Sequence, residues 1–366
     1  MVKWVAFSNP SREDEYPWSV CVGGEHVYVV GYEKSSGTKQ WHIEKRDKDD
    51  GRLVKTWTRM TGSIGSSLMD CVVVGDSLYT VGDTNEVYEK WKRVSLDAAL
   101  SLSPFGVNWV ILSLDLDLNF IKVKMEGVSG HAHCMTSDGQ YLYIAGTEER
   151  SGRSSGWRGR VEKRRLDNLS LVTEYASRGF ILTGGIGINP ATGHLWVMGM
   201  GWKKIYYKKY YWHVEVLDRD LNRLMVMRPG VWGEARGVVF DDIGNAYIYG
   251  NGVVKISANG KELSRSTDIN VAGAAYVDGR LYVVTSDYRL LVLDPDLEKV
   301  DEVDLRPEIF KHVDVGEFDY VYKAVFDGGT IYAAGGAVPR GASDKGWLVL
   351  AIPISASRGE KTRIFY

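Results

Sequence analysis

One short pattern recurs seven times along this chain and constrains its fold more than any other feature. Each copy is an apolar β-strand with an aromatic residue in its second position, and most copies end in glycine. The copies lie roughly 35 to 64 residues apart, close to the spacing of the units in circular repeat proteins. They are Val27–Gly31, Leu78–Gly82, Leu142–Gly146, Leu195–Gly199, Ala246–Gly250, Leu281–Val284 and Ile331–Gly335.

Similar segments surround each copy. An apolar strand and a turn rich in Gly and Asp come before it, as at Gly23-Gly24 and Asp278-Gly279. A variable segment follows it, then a strand that often begins with Trp, a further turn and a fourth strand. Alternating apolar residues and tight turns are typical of antiparallel strands. Each repeat therefore predicts a four-stranded meander, with strands A to D.

Seven such meanders must each bury two faces, and packing them around an axis does this while leaving only short edges. We predict an all-β fold, a seven-bladed β-propeller of four-stranded antiparallel blades, forming one domain over residues 1–366. Residues 2–7 resemble a fourth strand and are expected to complete the last blade. The C-terminal residues 362–366 compete for that place.

Composition limits the class of partner. The 366 residues include 45 Lys and Arg against 47 Asp and Glu, so attraction to a nucleic acid needs a local patch. The most apolar later run, 347–354, is far shorter than the roughly 18 residues of a membrane helix, and no membrane partner is expected. Three cysteines cannot all pair, which favours small buried thiols in a reducing compartment. We therefore predict a cytoplasmic location.

The run from Val27 to Trp57 resembles the prokaryotic β-propeller repeats called SBBP-type. The likeness lies in VYVVGY, WHIEKRD and GRLVKTW, and it extends loosely to the other repeats. The resemblance implies the propeller fold and an interaction or structural role of no single kind.

Chain direction predicts where function lies. In a meander the D–A and B–C connections share one face, and the inner strands begin there. The B–C segments are long in repeats 1, 2, 3, 4 and 7, so this long-loop face is the elaborated one. Polar residues at or near the starts of inner strands are expected to converge on the channel mouth as a ligand site: Asp70, His131, His133, Arg236 and Lys323. Alternatively, these side chains hydrogen-bond neighbouring loops and hold the blades together.

His131 and His133 alternate on one strand, and with Asp70 they could supply three metal ligands. Two histidines without an assured third ligand are a weak signal. We predict no metal and no cofactor.

A second candidate site is a basic and aromatic rim on the B–C segments of repeats 2 to 4. Cations that attract phosphate, interleaved with rings that stack on bases, suit a nucleic acid or another polyanion. The alternative is a set of solvated hairpins. The rim residues are Lys92, Arg93, Arg153, Arg158, Lys203, Lys204, Tyr206, Tyr207, Lys208 and Lys209.

No catalytic motif is present, neither a nucleophile elbow nor a phosphate-binding loop. The sequence favours a non-enzymatic interaction propeller that binds a protein or polyanion through the long-loop face. The alternative is a small-ligand-binding protein or an enzyme with a polar site at the channel mouth. The sequence leaves open whether the protein is an enzyme, and it names no catalytic residue.

Overall fold

The computed structural model describes residues 2–9, 11, 13–60, 66–84, 108–150, 156–177, 180–202 and 210–354. Within these ranges the chain forms 27 β-strands and one short helix, arranged in antiparallel sheets. The predicted all-β class is therefore confirmed.

Four of the sheets are four-stranded meanders whose strands pair in chain order. The first contains β2 (Tyr16–Gly23), β3 (His26–Ser35), β4 (Thr38–Asp47) and β5 (Leu53–Met60). The next contains β13 (Phe180–Ile188), β14 (Leu195–Trp202), β15 (Tyr210–Leu217) and β16 (Arg223–Met227). Another contains β17 (Ala235–Phe240), β18 (Ala246–Gly250), β19 (Gly252–Ile256) and β20 (Glu262–Ser266). The last contains β21 (Val271–Val277), β22 (Arg280–Thr285), β23 (Arg289–Leu293) and β24 (Lys299–Asp304).

A seven-stranded sheet lies between the first two of these meanders in the chain. Its strands are β6 (Ser67–Val74), β7 (Ser77–Thr84), β8 (Asn108–Asp115), β9 (Phe120–Ser137), β10 (Tyr141–Arg150), β11 (Gly156–Arg165) and β12 (Leu171–Ala176). Strand β9 joins its two halves. Residues 120–129 of β9 pair with β8, whereas residues 130–137 pair with β10. The described residues thus form six sheets, and the count of seven blades stays a prediction.

The remaining sheet brings the two ends of the described chain together. It contains β25 (Val315–Asp327), β26 (Thr330–Pro339), β27 (Gly346–Pro353) and β1 (Trp4–Ser8). Strand β1 pairs antiparallel with β27, from Trp4 opposite Ala351 to Ser8 opposite Trp347. The competing segment 362–366 lies outside the described residues.

The inner strands form a closed ring. Each contacts the next one around the ring, and the last contacts the first: β2, β6, β9, β13, β17, β21 and β25. This arrangement of sheets around a central channel is the predicted β-propeller.

Tryptophan side chains on the third strands of four repeats pack against the next repeat around the ring. Trp41, Trp109, Trp212 and Trp347 are each fully buried. The Trp41 indole donates a 3.1 Å hydrogen bond to the carbonyl of Asp83 in the next sheet. Trp109 donates a 2.8 Å bond to the carbonyl of Thr147. The large rings bury apolar surface between adjacent repeats, and the two hydrogen bonds fix the positions of the Trp41 and Trp109 rings.

Buried carboxylates on third strands provide further ties that sequence analysis did not anticipate. Ser8 on β1 donates a 2.5 Å hydrogen bond to Glu44 on β4. Ser177, just after β12, donates a 2.8 Å bond to Glu215 on β15. Both carboxylates are almost fully buried. In each case the outer edge of one sheet is bonded to the third strand of the next.

One expectation about local structure needs correction, and another concerns residues that the structure does not describe. The B–C segment of repeat 1 was expected to be a long loop, but β3 and β4 extend to Ser35 and Thr38. Only Ser36 and Gly37 form the turn, both with positive φ. Residues 95–102, whose sequence predicts a short helix inserted in repeat 2, lie outside the described residues.

The helix of the described ranges, α1 (Arg306–Ile309), precedes β25. Over the part of the chain that is described, no helix has the length and apolarity needed to cross a membrane.

The expectation of three free thiols was wrong. Cys21 on β2 and Cys71 on β6 form a disulfide, with Cα atoms 5.9 Å apart, and Cys134 is free and buried. The bond links adjacent inner strands, so it tethers the first sheet to the second. The cysteine content therefore gives no support to a reducing compartment.

Glu15, just before β2, is fully buried, and its Oε2 atom has no hydrogen-bond partner among the described residues. Burial raises the pKa of this carboxyl to about 7, although hydrogen bonds from Ser11 oppose the change. The folded protein therefore holds a proton that the unfolded chain releases near its ordinary pKa of 4.5.

The contribution of Glu15 to the free energy of unfolding consequently falls as the pH rises from about 4.5 to about 7. We expect Glu15→Gln to remove this loss, with a stability gain over the wild type of up to about 3 kcal/mol at pH 8 and little gain at acidic pH. Urea unfolding of both proteins at about pH 4.5 and about pH 8 measures the difference. An equal difference at the two pH values would contradict the assignment.

Candidate functional site at the channel mouth

A β-bulge interrupts every inner strand. On β2 Pro17 pairs with Gly31 and Ser19 pairs with Val30, which leaves Trp18 unpaired. The register shifts at the corresponding place on the other inner strands, where the residues within the shift are Met69, His133, residues 182–184, Arg236, Ala272 and Tyr322. A bulge re-aims a side chain that would otherwise follow the regular alternation.

The glycine that ends the repeated sequence pattern makes room for the bulge. A Cβ atom on Gly82 would lie 1.9 Å from the carbonyl oxygen of Ser67, and one on Gly31 would lie 2.0 Å from that of Tyr16. In both strands the carbonyl belongs to the residue two positions before the bulged one. Only glycine allows the second strand to approach the inner strand this closely.

All the bulges open into one cavity of about 660 Å³, a volume typical of small-molecule sites. It is lined by Trp18, Met69, His133, Cys134, Gly184, Met200, Glu234, Arg236, Asn270, Ala272, Ser286, Tyr320, Val321, Tyr322 and Lys323. We call it the channel-mouth cavity. Each of the bulges contributes a residue to its wall.

A second cavity of about 520 Å³ lies further along the channel, and Asp70 is among its lining residues. Lys323 lines both cavities. Its ammonium lies 3.5 Å from the Asp70 carboxylate. This ion pair therefore stands between the two cavities and forms the floor of the channel-mouth cavity.

Asp70 lies on one inner strand and is bonded to three others. Its carboxylate accepts a 2.6 Å hydrogen bond from Ser19 on β2 and a 2.9 Å bond from the backbone N–H of Met135 on β9. Lys323 on β25 pairs with the same carboxylate, and Asp70 itself lies on β6. Burial lowers the pKa of Lys323, but the Asp70 charge and hydrogen bond, together with the nearby Tyr249 and Cys134, outweigh burial and raise this pKa above its usual value. Lys323 thus stays charged.

Arg236 lies on β17, across the cavity from β6 and β25, the strands that carry Asp70 and Lys323. Its Nη1 atom donates to Asn270 Oδ1 at 3.0 Å and to Ser286 Oγ at 3.3 Å. Its Nε atom lies 4.0 Å from the Glu234 carboxylate, and about a third of the side chain (36%) is exposed. The guanidinium is therefore oriented by neighbours and still open to the cavity.

Aromatic rings form the wall contributed by β2 and β25. Trp18 stacks on Tyr16 at 5.4 Å between ring centroids and meets Tyr322 edge-on at 5.0 Å. Tyr322 in turn donates a hydrogen bond to Asp319. The indole N–H of Trp18 has no acceptor among the described residues.

The rings of the two predicted histidines are neighbours, with centroids 5.7 Å apart, but their other contacts differ. His133 lines the cavity. Burial lowers the pKa of His133 to about 3, with a smaller contribution from the nearby His131, so the ring is neutral. His131 does not line the cavity. Its Nδ1 atom lies 2.6 Å from Asp83 Oδ2, and its ring lies 5.7 Å from that of Trp157.

If the inner strands are aligned on the aromatic residues of the repeats, His133 and either Arg236 or Gly237 stand level with Asp70 and Lys323, whereas the structure sets His133 and Arg236 one residue earlier. His133 and Arg236 are bulged residues, whereas Asp70 and Lys323 follow a bulge. Consequently Asp70 lines the second cavity, and three of the five predicted residues, His133, Arg236 and Lys323, line the channel-mouth cavity itself. Within the described ranges, no cluster of three or more His, Cys, Asp or Glu side chains could hold a metal ion.

Several lining residues were missed by sequence reasoning. Met69 immediately precedes Asp70, so it would have been found if the extra bulge residue of β6 had been counted. Asn270 and Ser286 lie in connections after β20 and β22, and no sequence pattern marks them.

The basic rim lies almost wholly outside the described residues: Lys92, Arg93, Arg153, Lys203, Lys204, Tyr206, Tyr207, Lys208 and Lys209. Arg158 is described. Its Nε and Nη2 atoms donate to the two oxygens of Glu148 at 3.0 and 3.1 Å. This bidentate pairing neutralises the charge that a polyanion would need.

No family model matches the chain, and no curated protein matches it. Among solved structures, BamB from Moraxella catarrhalis, a β-propeller, is similar with a TM-score of 0.50 at 10% identity, over 94% of this chain and 84% of that chain. Raptor from Chaetomium thermophilum is similar with a TM-score of 0.56 at 12% identity, over 98% of this chain but 29% of that chain. At these identities the likeness shows the fold alone.

The bulge geometry predicts the effect of a single methyl group. We expect Gly82→Ala to lower the free energy of unfolding by about 2–4 kcal/mol, because the Cβ would meet the Ser67 carbonyl. Gly316→Ala is the matched control on an inner strand, since its nearest neighbouring atom lies 3.4 Å away. It should cost less than about 1 kcal/mol. Equal losses in urea unfolding would refute the close-approach argument.

The ion pair on the cavity floor should be sensitive to loss of its carboxylate. Asp70→Ala leaves the Lys323 ammonium and the Met135 N–H without their partner, at an expected cost of about 3–5 kcal/mol. Asp314→Ala is the control, because its pair with Arg340 is exposed and should be worth less than about 1 kcal/mol. Thermal unfolding of the two variants tests this, and a cost for Asp70→Ala as small as the control's would overturn the assignment.

Proposed function

We propose that the protein is a binding propeller whose ligand site is the channel-mouth cavity on the long-loop face. The observation that carries the proposal is the convergence of the bulges. One bulge in each inner strand directs a residue into a single cavity of about 660 Å³. A fold held together only by packing between sheets does not need such a cavity.

The ion pair between Asp70 and Lys323 supports a small ligand rather than a threaded chain. It stands between the two cavities, so a molecule that enters from the mouth stops at the pair. The cavity's volume also falls within the range of small-molecule pockets, roughly 300–1,000 Å³.

The broader predictions from the sequence accompany this proposal. We propose that β9 serves as the outer strand of one blade and the inner strand of the next, which gives seven blades in a single domain. The SBBP-type resemblance, the cytoplasmic location and a protein or polyanion partner at the basic rim remain predictions. The Arg158–Glu148 pair is the reason why the cavity is preferred to the rim as the binding site.

Filling the cavity tests the proposal. Met69→Trp should fill the channel-mouth cavity, whereas Thr136→Trp adds the same side chain to the second cavity and serves as the control. Wild type and both variants are screened by thermal shift against a mixed library of neutral and charged small metabolites, and bound species are identified by native mass spectrometry. A ligand at 100 times its dissociation constant should stabilise the wild type by about 2.7 kcal/mol.

We expect this stabilisation to persist in Thr136→Trp and to disappear in Met69→Trp. Binding that survives Met69→Trp would place the ligand elsewhere and refute the proposal. A wild-type protein that binds no compound of the library would refute it as well.

A further inference from the structure

The polar groups around the channel-mouth cavity offer more free donors than free acceptors. Arg236 has five N–H groups, and its bonds to Asn270 and Ser286 use Nη1 alone. These same bonds occupy Asn270 Oδ1 and Ser286 Oγ. The oxygens next to Arg236 are therefore already engaged, while part of the guanidinium faces the cavity.

The floor of the cavity supplies further donors. The Lys323 ammonium carries three N–H groups, and Asp70 is its ion-pair partner in the described part of the chain. The Asp70 carboxylate also accepts from Ser19 and from the N–H of Met135. One carboxylate thus serves three donor groups, so the ammonium keeps capacity for another acceptor.

The charged side chains that line the cavity are likewise more often positive than negative. Two permanent cations, Arg236 and Lys323, line the cavity, whereas of the two carboxylates near them only Glu234 lines it and Asp70 lines the second cavity. His133 stays neutral because burial lowers its pKa to about 3. The buried N–H of Trp18, which lacks an acceptor among the described residues, adds a donor in the aromatic wall.

We infer that the ligand is a small organic anion, whose carboxylate or phosphate group binds Arg236 and Lys323 and whose planar or apolar part packs against Trp18 and Tyr322. This inference rests on the function proposed above and names the class of ligand for the same site. Arginine forms two parallel hydrogen bonds to either kind of anion, and an aromatic wall favours a ring.

Matched pairs of probes separate charge from shape. Adenosine 5′-monophosphate is compared with adenosine, and indole-3-acetate with indole-3-acetamide, by isothermal titration calorimetry on the full-length chain. The two pairs also distinguish the two sources of negative charge, because one carries a phosphate and the other a carboxylate. We expect at least one anion to bind at least about 10-fold more tightly than its neutral partner.

Arg236→Gln removes one cation and leaves the Asp70–Lys323 pair in place. It should weaken binding of the anion at least about 10-fold and leave the neutral partner unaffected. Arg219→Gln is the control, since Arg219 is an exposed arginine near Asp138 and away from the cavity. Arg236→Lys keeps the positive charge but loses the planar guanidinium that can make two parallel hydrogen bonds. It provides a second variant should Arg236→Gln unfold, and it should weaken binding of the anion by a smaller factor than Arg236→Gln does.

The outcomes distinguish this inference from the proposed function. Anion binding that is reduced by Arg236→Gln and kept in Arg219→Gln supports both. Equal or preferential binding of the neutral partners, lost on Met69→Trp, overturns the anion inference and leaves the small-ligand function standing. If no probe binds and the metabolite screen also finds no ligand for the wild type, both are overturned. If no probe binds but the screen yields only neutral ligands, the anion inference alone is overturned.

Discussion

The approach of a backbone carbonyl to a glycine Cα on the neighbouring strand sets the geometry of the inner ring. At Gly82 and Gly31 a side chain would lie about 2 Å from the carbonyl oxygen, so the second strand can follow the bulged inner strand only if it has no Cβ there. The bulge turns one side chain into the channel, and the next residue faces the axis one layer deeper. The cavity wall and its charged floor both follow from this repeated local contact.

Much of the fold could be predicted because each β-strand is marked by the residues of its own short segment. The aromatic and apolar alternation marks the second strand of each repeat, and the Trp at the start of the third strand marks packing between sheets, as Trp41 and Trp109 show. The shared strand β9 could not be predicted in this way. It carries no turn residues to separate its two halves other than Gly127 and Gly130, and its double pairing depends on the neighbouring sheets.

The site could be predicted only in part, because register is a property of two strands. Asp70 and Lys323, which the sequence groups at the starts of inner strands, form an ion pair. His133 and Arg236 were placed in the same layer because an extra residue in one strand leaves no mark on the sequence of that strand alone. The Cys21–Cys71 disulfide was missed for a related reason: pairing depends on the distance between adjacent inner strands.

The continuity of β9 has a consequence for how this ring could be cut and rejoined. Chain ends can be relocated in a ring wherever a surface connection between neighbouring sheets can be opened without breaking a ladder. Between β8 and β10 the chain offers no such connection, because both ladders use one uninterrupted strand. A circular permutant opened within β9 would lose hydrogen bonds to β8 and to β10. The two repeats that share β9 therefore behave as one structural unit.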